Sequence, residues 1–501
     1  MIFYIVLIVI GYVLLQWLVS LRARSLVHPL KGQMNGIKPW FIFIGDFVFS
    51  LLNIKPSELN GMGEIYYRWF FWNPVIEVRC VETLDYIFNE KYNNYIRYWN
   101  MGRSSNQLLF KGGDIKRYAR IYQQCLNNDR YLKKLFKVVV RESEVFSKSL
   151  QGVQEISGDK EIHQFMLKVL ANVYMGYSKE AVECMNATYE KFGGGFKEFL
   201  YFLCPKLVLL NPEYISKYNH YRNQRSLFKL IAMKAYYGVN SDHHQREHCL
   251  LNFAAEASYN DKEGMSLNEF QLSNFILNVS SVTSPIKVLN SFINVVSKHP
   301  EVEIKLRDEI QSILGDSKHM EYEQLEQFKY FDKVLEEVLR LHPPIRNLVP
   351  RTLKDSDRLL GYHIPQGSVV SVPVGEILRQ PCYYSQPNTF NPDRFSGPNS
   401  EDSDDDTEFP TPPLNNNLTN RERDLLKNLP WGIGSTQCSG KKLSILIIKT
   451  ILIQLYSRYH FKLNQDDCEL SDTLLNYCKK LFRINPISTS KYSIISTTDK
   501  I

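Results

Sequence analysis

Pro430-Trp431-Gly432-Ile433-Gly434-Ser435-Thr436-Gln437-Cys438-Ser439-Gly440, with the apolar run Leu443 to Leu455 close behind it, decides how this chain of 501 residues is read. The glycines punctuate a turn, and the run predicts a long helix starting beside Cys438. A thiol so placed has backbone N–H groups converging on its sulfur and the positive end of a helix behind it. Both favour thiolate over thiol. Such a sulfur is a soft ligand for iron. Gly432 and Gly434 open backbone conformations closed to other residues, and Gly440 lets a flat group lie close against the chain. A second reading stands beside this one, because most free cysteines are small core hydrophobes. The chain's nine cysteines are scattered without a C-x-x-C pair, so nothing suggests zinc.

Upstream, Glu337-Val338-Leu339-Arg340 lies within a helical pattern from Phe331 to Leu341. Its i,i+3 spacing puts carboxylate and guanidinium on one helix face; a surface pair is the ordinary outcome. Leu341-His342-Pro343-Pro344 stops that helix. Arg351-Thr352-Leu353-Lys354-Asp355 reads as a strand entry, Arg358 to Val370 as a turn and hairpin, and Phe390-Asn391-Pro392-Asp393-Arg394-Phe395 follows. Phe275 to Val296 predicts a long helix containing Ser280-Ser281-Val282-Thr283-Ser284-Pro285. Pro285 removes one helix N–H and is expected to bend it. Earlier, Gly113 to Arg120 reads as a helix with a basic face.

Taken in order, these segments resemble the cytochrome P-450 family. Its haem-thiolate signature, Phe-x-x-Gly-x-x-x-Cys-x-Gly, stands here as Trp431 through Gly440, with Trp for Phe. The resemblance implies a mainly α fold with a small β-subdomain, preceded by one N-terminal transmembrane helix. It implies haem b between the helix of Ser284 and the turn of Cys438, with Cys438 as the metal ligand and Trp431, Gly432, Gly434 and Gly440 around the cofactor. Glu337, Arg340 and Arg394 match the family's buried Glu-Arg-Arg lock, and buried charges are tolerable only when mutually paired. Arg351 and Arg120 match arginines that bind haem propionates, although Lys116 stands where the second motif has Trp and Thr436 replaces a third propionate ligand. Thr283 and Ser284 fall on an acid-alcohol pair that relays protons. Here both are alcohols: Ser284 can still hydrogen-bond the oxygen being reduced, while Thr283 supplies no ionised relay. The plain alternative is that both hydroxyls satisfy a kinked backbone.

Met1 to Leu21 carries no charged side chain, and Arg22, Arg24 and Lys31 follow it. A helix of about 20 apolar residues crosses a bilayer, and the basic residues behind this one place the remainder in the cytosol. The expected layout is a single-pass anchor over 1–21 in the endoplasmic reticulum membrane, a membrane-proximal linker over 22–52 and a catalytic domain over 53–501. Residues 396–428, acidic and then rich in Pro and Asn, are expected to be a disordered insertion. A net charge of +7 is too modest to argue for nucleic acid. The expected partners are membrane lipid, a small-molecule substrate and an NADPH-cytochrome P-450 reductase, a flavoprotein docking on the face of Lys441 and Lys442.

Within the family, the fungal spore-wall N-formyltyrosine oxidases, which make dityrosine, are similar in having a proline at Pro285 and no threonine at Ser284, and over Trp40 through Val78. Hydroxylation of another small or lipophilic substrate is the other use of the same site. Two further readings remain open here: a haem-thiolate isomerase or dehydratase independent of reductase, and a haem-binding protein that has lost oxygen activation.

Overall fold

Helices with apolar residues at helical spacing account for most of the described residues. The structure, a computed structural model, describes residues 35–36, 63–70, 73–97, 112–176, 178–192, 212–238, 248–317, 319–395, 418–434, 437–463 and 481–486. The expected anchor over Met1–Leu21 lies outside them, and among the described residues no helix is long and apolar enough to cross a membrane. The helices in chain order are α1 (Val81–Asp85), α2 (Gly112–Leu126), α3 (Asp129–Ser149), α4 (His163–Met175), α5 (Lys179–Phe192), α6 (Pro212–Tyr237) and α7 (Leu250–Asn260). They continue with α8 (Leu267–Val296), α9 (Pro300–Leu314), α10 (Lys329–Leu341), α11 (Val374–Ile377), α12 (Asn420–Asn428) and α13 (Lys441–Tyr456).

The run after Cys438 becomes α13, whose side chains from Leu446 to Tyr456 are all buried, while Lys441, Lys442, Ser444 and Ile445 in its first turns are half-buried or exposed. A helix apolar on every side belongs inside a helical layer, and α13 packs chiefly on α3 and also on α8 and α9. Its one buried cation, Lys449, donates to the Phe328 carbonyl at 3.1 Å and to Asp332 at 2.5 Å, tying α13 to the start of α10. The principal core gathers side chains of α2, α3, α4, α8, α9, α10 and α13. Through its middle runs α8, started by a reciprocal cap in which Ser266 and Glu269 each accept from the other's backbone N–H. The helix passes through Pro285 without ending.

The β-subdomain is a six-stranded sheet of order β1-β2-β3-β9-β6-β4, formed by Asn35–Gly36, Ile65–Phe70, Asn73–Val78, Val369–Ser371, Arg351–Leu353 and Tyr95–Arg97. Pairing of β4 with β6 sets Arg97 opposite Arg351. The expected hairpin after Arg351 is β7 (Asp357–Leu359) with β8 (Tyr362–Ile364), turning at Leu360 and Gly361 in the left-handed region. A smaller sheet joins β10 (Tyr459–Leu463), β11 (Leu481–Pro486) and β5 (Glu155–Ser157). The β-subdomain has its own core, into which Phe88, Tyr95, Leu353, Leu426 and Ile433 are buried.

One expectation needs correcting. Residues 396–417 lie outside the described part, but the end of the supposed disordered insertion is α12. Thr419 and Glu422 close a capping box at its start, Arg421 pairs with Asp85 at 2.5 Å, and Leu425 and Leu426 enter the β-subdomain core. Acidic composition upstream hid a locally complete helix signal, Thr-x-x-Glu before two leucines. Thr419→Ala should lower stability by about 1 kcal/mol, read as a lower urea midpoint with an unchanged denaturant slope.

Candidate active site

The site is held from beneath by charge. Arg340 meets Glu337 through two parallel bonds, Nε to Oε2 at 2.7 Å and Nη2 to Oε1 at 2.8 Å. Arg394 donates Nε to the same Oε1 at 2.9 Å, and the Asn391 N–H joins it at 3.0 Å. All three charged side chains are at most 4% exposed. Their remaining donors are used: Arg340 Nη1 reaches the carbonyls of Leu378 and Pro387 at 2.8 and 2.6 Å, and Arg394 Nη1 that of Ser385 at 2.9 Å. The Thr389 carbonyl accepts from both guanidiniums. This full satisfaction is what permits burial. The predicted lock therefore fastens the 385–394 loop onto α10.

The cysteine turn lies across the seam between the two cores. A short 3-10 turn over Leu429–Trp431 leads in, and Gly432 and Gly434 take positive φ of 82° and 61°. A Cβ on Gly434 would fall 2.7 Å from the Phe88 carbonyl oxygen and closer still to the Asn89 amide, so glycine is required there twice over. Trp431 packs against the principal core, while Ile433 is buried in that of the β-subdomain. The Cys438 N–H donates to the Trp431 carbonyl at 2.7 Å and closes the loop.

The Cys438 side chain is exposed, yet protein atoms crowd it enough that burial pushes its thiol above the usual value. A side chain both reachable and crowded lies in a hollow. The Gly440 N–H and the Lys441 charge pull the thiol the other way, as expected, but desolvation outweighs them. A coordinated metal reverses that balance, since a ligating thiol is deprotonated outright. Gly440 itself has φ of −87°, and a Cβ there would meet Cys438 Sγ and Ser444 Oγ at ordinary contact distances of 3.8 and 3.9 Å. The protein's own packing thus leaves room for a flat group against Gly440.

Arg351 is buried on β6 with its guanidinium 5.0 Å from the centre of the Phe88 ring. Because the Phe88 carbonyl also abuts Gly434, the structure brings this cation beside the cysteine turn. Arg120 it does not bring there. That side chain is half exposed and engaged by Asp261 at 2.9 Å and Glu263 at 3.2 Å. The expected propionate role for Arg120 gives way to a surface tie between α2 and the loop after α7. Sequence spacing along α2 carried no sign of these acids, which stand about 140 residues away.

On the opposite wall, Thr283 and Ser284 are half-buried on α8, and Pro285 is buried beside them. One turn earlier, Ser281 hydrogen-bonds the buried Tyr174 phenol, which feels the charge of Cys438. That hydrogen bond ties the alcohol-bearing turn of α8 to α4. Tyr174 was invisible in the sequence, where no pattern links α4 to α8. Lys287 was visible as the only charge between Phe275 and Val296; it reaches the Pro344 carbonyl at 3.4 Å.

The residues present fit haem: one hollow-seated thiol, one buried guanidinium beside it, a glycine face without steric claim and a half-buried row of hydroxyls. Two outcomes follow. Glu337→Ala leaves two guanidiniums buried without their carboxylate and should cost about 3–5 kcal/mol, read as loss of the reduced carbon-monoxide band at equal protein level. Arg120→Gln should leave haem content unchanged. It should remove an acid-end contribution to stability, because Arg120 holds the Asp261 carboxyl down at about 2. That contribution is present above the ordinary carboxylate range and is lost as pH falls through about 2, so unfolding scans against pH should converge for the two proteins below it.

Comparison with known proteins agrees with this geometry. The family described as Cytochrome P450 matches residues 83–485. "Probable cytochrome P450 556A1" of Dictyostelium discoideum is 34% identical over 622 aligned positions, covering 94% of each chain. "Cytochrome P450 3A6" of Oryctolagus cuniculus is 29% identical over a segment that is 35% of this chain and 31% of that protein. Among solved structures, "Retinoic acid bound cyanobacterial CYP120A1" superposes with a TM-score of 0.72 at 19% identity, over 91% of this chain and 99% of that one, a likeness of fold. A family match across most of the chain and a full-length relative bear out what the Cys438 turn implies: the chain belongs to the cytochrome P450 family of haem-thiolate enzymes.

Proposed function

We propose that this enzyme oxidises a small phenolic substrate, coupling N-formyltyrosine to dityrosine, with dioxygen as oxidant and NADPH electrons delivered by a flavoprotein reductase. Haem held by Cys438 supplies the dioxygen activation, and its thiolate favours O–O cleavage. Each coupling takes one hydrogen atom from each of two phenols and joins their rings, while dioxygen leaves as two waters with the two electrons of NADPH. Arg351 anchors the cofactor's edge. The observation carrying the substrate reading is the alcohol-only turn Thr283-Ser284-Pro285 at the middle of α8. A hydroxyl both donates and accepts, so Ser284 and Thr283 can orient a phenolic O–H and pass its proton without an ionised side chain.

The anchor and partner follow from the same reading. Met1–Leu21 holds the chain in the endoplasmic reticulum membrane, and the reductase docks on the side of Lys441 and Lys442. Lys442 is exposed there, whereas Lys441 is half-buried and donates to Asn428 at 2.7 Å; the docking charge is therefore chiefly that of Lys442.

The first measurement is the carbon-monoxide difference spectrum of the reduced, membrane-bound protein. A red-shifted Soret band, lost in Cys438→Ala, is the expected result. With reductase and NADPH, N-formyltyrosine should then give the fluorescence of dityrosine. Product formed without NADPH would favour a reductase-independent reaction, and a bound haem that consumes no NADPH with any phenol would remove the substrate reading.

A further inference from the structure

Asn428, the last residue of α12, reaches both sides of the cysteine turn. Its Oδ1 accepts from Lys441 Nζ at 2.7 Å and from Gln437 Nε2 at 3.3 Å. Gln437 directly precedes Cys438, and Lys441 opens α13 just after it. One amide oxygen therefore bridges the chain as it enters and as it leaves the thiol. The other end of the amide is held as well: Asn428 Nδ2 donates to the Asp424 carbonyl and to the Asp424 carboxylate, each at 2.9 Å. A carboxylate behind an amide polarises it and strengthens its oxygen as an acceptor. Finishing α12 needs only the bonds to Asp424; the two on the oxygen side serve the turn.

A lysine ordinarily turns to a carboxylate or to water. The two carboxylates that act on Lys441, Glu336 and Asp424, already have partners: Lys427 meets Glu336 at 2.8 Å, and Asn428 itself holds Asp424. Lys441 is also half-buried, which limits the water it meets, so Asn428 decides where its charge sits. That charge favours the thiolate of Cys438. The base of the grip is firm, because Leu425 and Leu426 of α12 are buried in the β-subdomain core and Arg421 pairs with Asp85. Main-chain bonds close the turn on its inner side, Cys438 N–H to the Trp431 carbonyl at 2.7 Å and Gln437 N–H to that of Gly434 at 3.1 Å. They do not fix the flanking side chains; Asn428 does.

We propose that Asn428 is a positioning residue for the thiolate: by gripping Gln437 and Lys441 it holds the Cys438 turn in one shape and keeps the lysine charge on the sulfur's side. Groups around a metal-binding sulfur tune the metal's reduction potential, and a cation there favours the reduced form, which carries one more negative charge. The inference rests on membership of the haem-thiolate family and on no particular substrate.

The test compares the full-length, membrane-bound holoenzyme with its Asn428→Leu variant, a change of little volume, in the absence of substrate. Three readings are taken: the ferric–ferrous midpoint potential, the share of the reduced carbon-monoxide complex in the red-shifted Soret band, and hydrogen exchange of the peptide spanning 431–441, which needs no haem signal. In the variant the potential should fall by about three- to tenfold in the one-electron equilibrium, tenfold being 59 mV. Part of the red-shifted band should give way to an unshifted one, and exchange in the turn should quicken. Lys441→Met should lower the potential equally, and the double variant no further, because the amide acts through the lysine. Asp424→Ala, which loosens the end of α12, should lower the urea midpoint while moving the potential less than Asn428→Leu. The proposal is overturned if Asn428→Leu lowers only the urea midpoint, with potential and band unmoved, since Asn428 would then merely end a helix. Full additivity of Asn428→Leu and Lys441→Met overturns it as well. Should Asn428→Leu not load haem, exchange is compared on the haem-free proteins, and protection of the turn equal to the wild type sinks the proposal.

Discussion

One carboxylate, that of Glu337, accepts from two guanidiniums that would otherwise be charges without counterpart in the interior. Everything on the cysteine side of the molecule hangs from this arrangement. Arg340 belongs to the same helix as Glu337, whereas Arg394 arrives from a loop more than fifty residues later. The pairing therefore converts a local helix contact into a long-range fastening. The backbone carbonyls of Leu378, Ser385, Pro387 and Thr389 complete it, so the loop is held through its main chain and its side chains are left to pack. In a low-dielectric interior such a network is all or nothing, because each unsatisfied member would cost more than the bond it lost.

From that fastening the chain continues to α12 and then to the cysteine turn, which spans two cores with different origins. The helical core is built from apolar stripes distant in sequence; that of the β-subdomain comes from short strands and the segment around Phe88. Trp431 belongs to the first and Ile433 to the second. The thiol is consequently held where neither core alone would place it, reachable from the hollow yet starved of water. The opposing wall, α8, is equally deliberate in composition: hydroxyls and one lysine set in an apolar helix that runs unbroken through a proline.

Much of this was legible in the sequence because the family's chemistry needs particular residue types at short spacings. Glu337 and Arg340 are three apart, the glycines bracket Cys438 within a single turn, and Arg351 opens a strand followed by a recognisable hairpin. What escaped reading depends on partners far away along the chain. Arg120 sits at the right spacing but turns to Asp261 and Glu263, acids whose proximity only the folded state creates. Tyr174 meets Ser281 across two helices with no shared pattern. The case of α12 is different: Thr419 and Glu422 signalled a helix start, and the acidic, Pro-rich run before them drew attention away. Lys287 too was in plain view, an isolated charge in an apolar stretch.

The close approach of Gly434 to Phe88 and Asn89 has a mechanical meaning. Phe88 also lies under the Arg351 guanidinium, and Arg351 sits on a strand paired with β4, just downstream of Phe88 itself. Thiol, aromatic ring and guanidinium thus form a closed linkage with few internal degrees of freedom. The spacing between the Cys438 turn and the Arg351 guanidinium is set by this linkage of protein groups alone.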